Sequence, residues 1–220
     1  MARLNIAVLI SGRGTNLQSL IEACRDPSFP ARIALVLSDV PDVMGLDRAE
    51  LDDIPTLVVE RKNYKDKKNF EEDINAALMD AKVELVCLAG FMRLVSDEFV
   101  DRWRDRLINV HPSLLPDFKG LEVHERVLES GVKIAGCTVH YVRAEMDTGP
   151  IIVQASVPVQ PDDDVEHLAA RVLREEHKIY PLAVRLIAEE RIKVIDDHVE
   201  FDDVSAAAIA AVNAPPANDD

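Results

Sequence analysis

Two polar side chains, Asn109 and His111, stand two positions apart at the end of an apolar segment, directly before Pro112. Residues two apart in an extended strand point to the same side, and a proline cannot continue the hydrogen-bond ladder. The carboxamide could stabilise a developing oxyanion and the imidazole could move a proton, as acyl or formyl transfer requires. The alternative is a polar strand end followed by a proline turn.

The elements that must position this pair can be predicted from the hydrophobic pattern. Uninterrupted apolar runs indicate strands covered on both faces, and apolar residues at helical spacing separate them. The five strands predicted to be parallel are residues 4–10, 31–38, 55–59, 85–89 and 107–111. Two further strands, 134–142 and 151–159, have no helix between them, which favours antiparallel addition.

We therefore predict one α/β domain over residues 1–204, doubly wound and Rossmann-like. Its central sheet is expected to be mostly parallel, with antiparallel strands toward the C-terminus. A long helix is predicted from residue 165 to about residue 190, and a hairpin from residue 192 to residue 201. Residues 205–220, rich in Ala and Pro, are expected to form a flexible tail.

The turn after the first strand, residues 11–16, has the sequence Ser-Gly-Arg-Gly-Thr-Asn and leads into a helix. Glycines let the backbone approach a ligand closely, and the first N–H groups of a helix attract anions. The turn lacks the third glycine of a dinucleotide fingerprint and the Lys-Ser/Thr of a P-loop. It therefore predicts a phosphate site of another kind, with an ordinary tight turn as the alternative.

Two carboxylates stand in notable positions. Asp147 lies in a turn-forming segment, where an Asx-turn that caps its own backbone competes with a role in orienting an imidazole. Glu176 interrupts the apolar stripe of the long helix, between Val172 and Ile179. A carboxylate on an inward face needs a partner, so Glu176 is predicted to lie at the edge of a site.

Composition bounds the class of protein. The net charge of −15 argues against a nucleic-acid surface, and no apolar stretch is long enough to span a membrane. The three cysteines are odd in number and show no metal-ligand spacing, so we predict no metal site and a reducing, cytoplasmic location.

Five motifs together resemble the phosphoribosylglycinamide formyltransferase family. They are ISGRGTNLQ at residues 10–18, LAGFMRLV at 88–95, NVHPSLLP at 109–116, MDTGPII at 146–152 and EEHKIYPL at 175–182. The third motif is shared with other formyl-tetrahydrofolate enzymes, whereas the first and last indicate the glycinamide enzyme. The resemblance implies formyl transfer from 10-formyltetrahydrofolate, as co-substrate, to the glycyl amine of 5-phosphoribosylglycinamide in purine biosynthesis.

The resemblance also implies roles for single residues. The catalytic residues would be Asn109, His111 and Asp147. The substrate phosphate would be bound by Gly14, Thr15 and Asn16, and the rest of that substrate by Glu176 and Pro112. The folate would be bound by Lys67, Met92, Arg93, Leu94, Val95, Arg143, Ala144, Glu145 and Met146.

The sequence leaves other functions open. The chain could be another enzyme that uses 10-formyltetrahydrofolate, such as a deformylase or an amine formyltransferase, or a non-catalytic nucleotide-binding module. The partners expected are small-molecule substrates, without nucleic acid, membrane or metal, and the protein is expected to be a monomer or homodimer.

Overall fold

The computed structural model describes residues 2–202, so the predicted tail, residues 205–220, lies outside the described residues. The strands are β1 Leu4–Ile10, β2 Ala31–Ser38, β3 Thr56–Val58, β4 Leu85–Leu88, β5 Leu107–His111, β6 Ile134–Tyr141, β7 Ile151–Pro158, β8 Ile192–Ile195 and β9 His198–Phe201. The α-helices are α1 Thr15–Arg25, α2 Met44–Glu50, α3 Lys67–Asp80, α4 Asp97–Arg102, α5 Val123–Ser130 and α6 Val165–Ala188.

Seven strands form one sheet in the order β3-β2-β1-β4-β5-β6-β7. The pairs from β3 through to β5 are parallel, whereas β6 and β7 add antiparallel. The strands β8 and β9 form a separate antiparallel hairpin. The predicted fold class is therefore confirmed. Chain order reverses around β1, because β2 pairs on one side of it and β4 on the other, and open α/β sheets bind ligands at such a point.

The sheet is covered on both faces, which explains the uninterrupted apolar runs. Alternate residues of β1 belong to different cores: Ile6 and Val8 pack with α1, α2, α5 and α6, and Ala7 and Leu9 pack with α3 and α4. Within residues 2–202, no helix is both long and apolar enough to cross a bilayer.

The long helix α6 packs much as its apolar stripe predicted. Asp164 caps its first turn by accepting a hydrogen bond from the backbone N–H of His167 at 2.8 Å. Leu168 and Val172 are fully buried, but Val165 is 47% exposed. Val165 is the first helical residue, and it lines the cleft described below.

Candidate active site

A cleft of about 680 Å³ lies where strands β4 and β5 end. It brings together most of the residues predicted for catalysis and folate binding. Those that line it are Met92, Arg93, Leu94, Val95, Asn109, His111, Arg143, Ala144, Met146 and Asp147. Pro112, predicted to bind the other substrate, lines it as well. Because parallel strands end at one edge of the sheet, residues distant in sequence meet here.

The three residues predicted to be catalytic are neighbours at the floor of this cleft. Asn109 and His111 both lie on β5, two positions apart, and the His111 side chain is buried. Asp147 Oδ2 is 3.5 Å from His111 Nδ1. His111 Nε2 is 3.0 Å from the carbonyl oxygen of Phe118, so both ring nitrogens face oxygen atoms. A protonated imidazole has one hydrogen for each of these oxygens.

The backbone holds Asp147 in place. Its φ is 54°, a left-handed conformation that Asp adopts more readily than most residues. The side chain accepts a hydrogen bond from the backbone N–H of Gly120 at 2.9 Å. Two residues later, a Cβ on Gly149 would lie 1.7 Å from the carbonyl oxygen of Tyr141, so only glycine allows the loop to lie this close to β6. This hydrogen bond joins the carboxylate to another segment of the chain, which favours a role in the site over an Asx-turn.

His140 is a fourth polar residue of this cluster, and the sequence reasoning missed it. Its Nε2 lies 3.3 Å from Asn109 Nδ2 and 3.7 Å from Asp147 Oδ1, and its Nδ1 lies 2.9 Å from the carbonyl oxygen of Tyr141. Burial lowers the pKa of His140 to about 4, outweighing the opposing effects of the Tyr141 hydrogen bond and the Asp147 charge. The neutral ring therefore donates from Nδ1 and accepts from the Asn109 amide at Nε2, which orients the carboxamide.

The glycine turn packs against the start of α2. Gly14 has a φ of 67°, and a Cβ there would lie 2.7 Å from the Cα of Gly45. Arg48 donates from Nε to the carbonyl oxygen of Arg13 at 3.0 Å and fixes the turn from outside. No side chain caps α1, so the N–H groups of its first turn, which begins at Thr15, are available to an anion. Gly14 thus has a packing role whether or not the turn binds phosphate.

Asn16 and Glu176 lie far apart in sequence and are hydrogen-bonded in the structure. Asn16 Nδ2 donates to Glu176 Oε2 at 2.7 Å. Glu176 is buried, and this burial raises the pKa of its carboxyl against the opposing effect of the Asn16 hydrogen bond. The oxygen of the same carboxamide, Asn16 Oδ1, is buried and has no hydrogen-bond partner within residues 2–202. A buried acceptor of this kind suits a ligand that donates hydrogen bonds.

A buried aspartate that the sequence reasoning missed holds the segment 92–95. Asp39 accepts from Ser11 Oγ at 2.5 Å and from Arg93 Nε at 2.6 Å. Ser11 Oγ in turn accepts from the backbone N–H of Met92 at 2.8 Å. This network joins the end of β1 to the predicted folate segment, whose Met92 and Leu94 side chains are each 70% exposed at the cleft.

Comparison with known proteins identifies the family to which this geometry belongs. Residues 4–184 match the formyl transferase family. The chain belongs to the formyl transferase family. It is 41% identical over 197 residues to a phosphoribosylglycinamide formyltransferase of Haemophilus influenzae, covering 90% of this chain and 93% of that protein. The resemblance predicted from the five motifs is therefore confirmed.

Two further relatives extend this comparison. The chain is 47% identical over 192 residues to the trifunctional purine biosynthetic protein adenosine-3 of Bos taurus. That match covers 87% of this chain but 19% of the bovine protein, so the chain spans about a fifth of its length. A crystal structure of glycinamide ribonucleotide transformylase 1 from Symbiobacterium toebii superposes with a TM-score of 0.89 at 47% identity, covering 91% of this chain and 95% of the other.

Within this formyl transferase, two predicted folate residues do not line the cleft. Lys67 begins α3, with its Nζ 4.0 Å from Glu71 Oε1, and lines a separate depression of about 200 Å³ between α3 and α4. Glu145 is exposed on the loop between β6 and β7. Arg143, also predicted to bind folate, does line the cleft, but its guanidinium is bonded to Asp105 and Asp197. Over residues 2–202, no group of three or more His, Cys, Asp or Glu is arranged to hold a metal ion.

Proposed function

We propose that this formyl transferase moves the formyl group of 10-formyltetrahydrofolate to the glycyl amine of 5-phosphoribosylglycinamide in purine biosynthesis. The products are N-formylglycinamide ribonucleotide and tetrahydrofolate. The observation that carries the proposal is the cluster of Asn109, His111 and Asp147 on the floor of a cleft. The phosphoribosylglycinamide formyltransferase of Haemophilus influenzae supports the choice of substrates.

The chemistry follows from the hydrogen-bond donors of this cluster. The neutral amine attacks the formyl carbon, forming a C–N bond and a tetrahedral oxyanion. The first amide hydrogen of Asn109 points to His140, and the second, which has no acceptor within residues 2–202, can donate to the oxyanion. With Asp147 beside its Nδ1, His111 would donate from Nε2 to the same oxygen or to the departing nitrogen, exchanging the carbonyl oxygen of Phe118 for the substrate. The bond between the formyl carbon and the folate nitrogen then breaks, and the proton lost by the amine ends on that nitrogen.

The ribonucleotide would extend from this cluster toward the glycine turn. Gly14, Thr15 and Asn16 would bind its phosphate through backbone N–H groups at the start of α1. Glu176 and the unpartnered oxygen of Asn16 would accept hydrogen bonds from the glycinamide part. Pro112, which follows His111 and lines the cleft, would contact the same substrate. Fixing the amine close to the formyl carbon would supply much of the rate increase.

The folate would occupy the more apolar part of the cleft. The exposed segment 92–95, held by the Asp39 network, would offer backbone groups to the heterocycle. Ala144 and Met146 would form the opposite wall. Lys67 and Glu145 would meet only the distal end of a long ligand, since neither lines the cleft. The three cysteines are free thiols, which supports a reducing cytoplasm as the location. The enzyme would act as a monomer or homodimer.

The test is the absorbance change that accompanies conversion of 10-formyltetrahydrofolate to tetrahydrofolate, measured with and without 5-phosphoribosylglycinamide. We expect conversion only when the ribonucleotide is present. Conversion without ribonucleotide would indicate a deformylase. Binding of ribonucleotide without any conversion would indicate a nucleotide-binding module, and either outcome would refute the proposal.

A further inference from the structure

The guanidinium of Arg143 is bonded to carboxylates on two other segments of the chain. Arg143 Nε donates to Asp197 Oδ1 at 2.7 Å, and Nη2 donates to Asp105 Oδ1, also at 2.7 Å. Nη2 is also 2.7 Å from Asp197 Oδ1. The Arg143 side chain is 9% exposed, although the two carboxylates are nearly half exposed. A fork of donors shared between two carboxylates is a geometry that Arg can adopt and Lys cannot.

Asp197 reaches Arg143 from the β8–β9 hairpin. The two turn residues, Asp196 and Asp197, have φ values of 49° and 60°, and the strand ends Ile195 and His198 are paired. Two left-handed residues in succession are characteristic of a type I′ hairpin turn, which Asp and Asn tolerate well. The turn therefore has a defined shape and directs one of its two carboxylates at Arg143.

Arg143 begins the loop, residues 143–147, that ends with Asp147. The far side of this loop is anchored by the backbone, since the N–H of Tyr141 donates to the carbonyl oxygen of Pro150 at 2.9 Å and Gly149 packs against Tyr141. Residues 144–146 between the two anchors are exposed, and Ala144 and Met146 line the cleft. On the side nearer β6, the Arg143 guanidinium and the backbone hydrogen bond from the Val142 N–H to the Leu107 carbonyl oxygen tie the loop to the rest of the fold.

We propose that Asp197, assisted by Asp105, is a positioning residue for the formyl donor. Through Arg143 it holds the loop 143–147 in the conformation that forms one wall of the cleft. The hairpin β8–β9, which lies outside the main sheet, thereby contributes to folate affinity without touching the folate. This inference rests on the proposed function for the identity of the ligand, but the restraint on the loop does not depend on it.

A different role for Arg143 predicts the opposite result. If the guanidinium had to leave the carboxylates to bind an anionic part of the folate, Asp197 would compete with the ligand. Removing the Asp197 charge would then lower the Michaelis constant for 10-formyltetrahydrofolate. If Asp197 positions the loop, the same change raises that constant.

The experiment compares Asp197→Asn with Asp196→Asn in the full chain. Both changes remove one carboxylate from the same turn, and Asn tolerates the left-handed conformation at both positions. Asp196 is a matched control because no ion pair of its carboxylate is found in the described part of the chain. Hydrogen–deuterium exchange without ligand measures the restraint on residues 144–149, and steady-state kinetics measures its consequence.

For Asp197→Asn we expect amide exchange in residues 144–149 to become at least about 3-fold faster. The Michaelis constant for 10-formyltetrahydrofolate should rise roughly 3- to 10-fold, because Asp105 remains as one of the two partners. The Michaelis constant for the ribonucleotide and kcat should change by less than about 2-fold. Asp196→Asn should match the wild type in both amide exchange and kinetics. The double variant, Asp105→Asn with Asp197→Asn, should show larger effects on both than either single change.

Unchanged exchange in Asp197→Asn would overturn the inference, whatever the kinetics show. A lower or unchanged Michaelis constant for the formyl donor would overturn it as well, as would an equal effect of Asp196→Asn. Failure of the proposed function is a separate outcome, seen as a wild-type protein without ribonucleotide-dependent formyl transfer. The exchange comparison would then still decide whether Asp197 restrains the loop.

Discussion

Replacing Asp147 by Asn tests whether the carboxylate charge, rather than its shape, supports catalysis. Asn tolerates the φ of 54° at this position, and its side-chain oxygen can still accept the hydrogen bond from Gly120. The fold should therefore be retained. What disappears is the negative charge 3.5 Å from His111 Nδ1.

The size of the effect follows from that distance. Two unit charges separated by 3.5 Å attract each other by about 5 kcal/mol at an effective dielectric constant of about 20. The value applies to a site with little solvent, and the His111 and Asp147 side chains are only 7% and 9% exposed. Reorientation of the new amide recovers part of this energy, so we expect kcat to fall roughly 10²- to 10³-fold, within the range of lost acid–base catalysis.

The assay is ribonucleotide-dependent formyl transfer, with thermal unfolding to verify the fold. Asp42→Asn is a matched control, because Asp42 is an exposed residue with a φ of 53°. Asp147→Asn combined with His111→Ala should cost little more than the more damaging single change, since the two residues act as a unit. A kcat within 10-fold of the wild type in folded Asp147→Asn would refute the reasoning, as would additive losses in the double variant.

Three further predictions concern the neighbouring residues. Burial raises the pKa of Glu176, so its ionisation destabilises the fold as pH rises above the unfolded value of about 4.3. Glu176→Gln should therefore unfold at a higher denaturant concentration than the wild type at pH 7 but not at pH 4. The same change should raise the Michaelis constant for the ribonucleotide. An unfolding midpoint at pH 7 no higher than that of the wild type would contradict the stability prediction. Burial lowers the pKa of His140 to about 4, so the wild type should lose roughly 3 kcal/mol of stability as pH falls from 6.5 to 4. His140→Gln should not show this loss of stability between pH 6.5 and pH 4. If the stability of His140→Gln depended on pH in the same way as that of the wild type, the result would count against a neutral buried ring. Gly14→Ala should destabilise the fold by about 1–3 kcal/mol, because its Cβ would meet Gly45 at a positive φ. Gly12→Ala is the control, since a Cβ at Gly12 meets nothing within 4 Å and should leave the melting temperature unchanged.

The sequence by itself determined the elements, their order and the segments that carry the site. Uninterrupted apolar runs are local patterns, so strands such as β1, β2 and β5 could be predicted to the residue. The same local logic placed Asn109 beside His111 at a strand end and Glu176 on an inward helix face. A buried carboxylate or a polar pair at a strand end is visible without knowing what lies opposite.

Partners across the fold were decided only by the tertiary structure. His140 faces Asn109 because of the antiparallel register of β5 and β6, and a shift of one residue would turn it to the other side of the sheet. Asp39 reaches Arg93, and Asp197 reaches Arg143, across 54 positions of sequence in each case. Spacing in the sequence carries no information about such contacts, because loop geometry and strand register bring them together. The same physics explains why Arg143, which the family resemblance predicted to bind folate, has its guanidinium bonded to two aspartates.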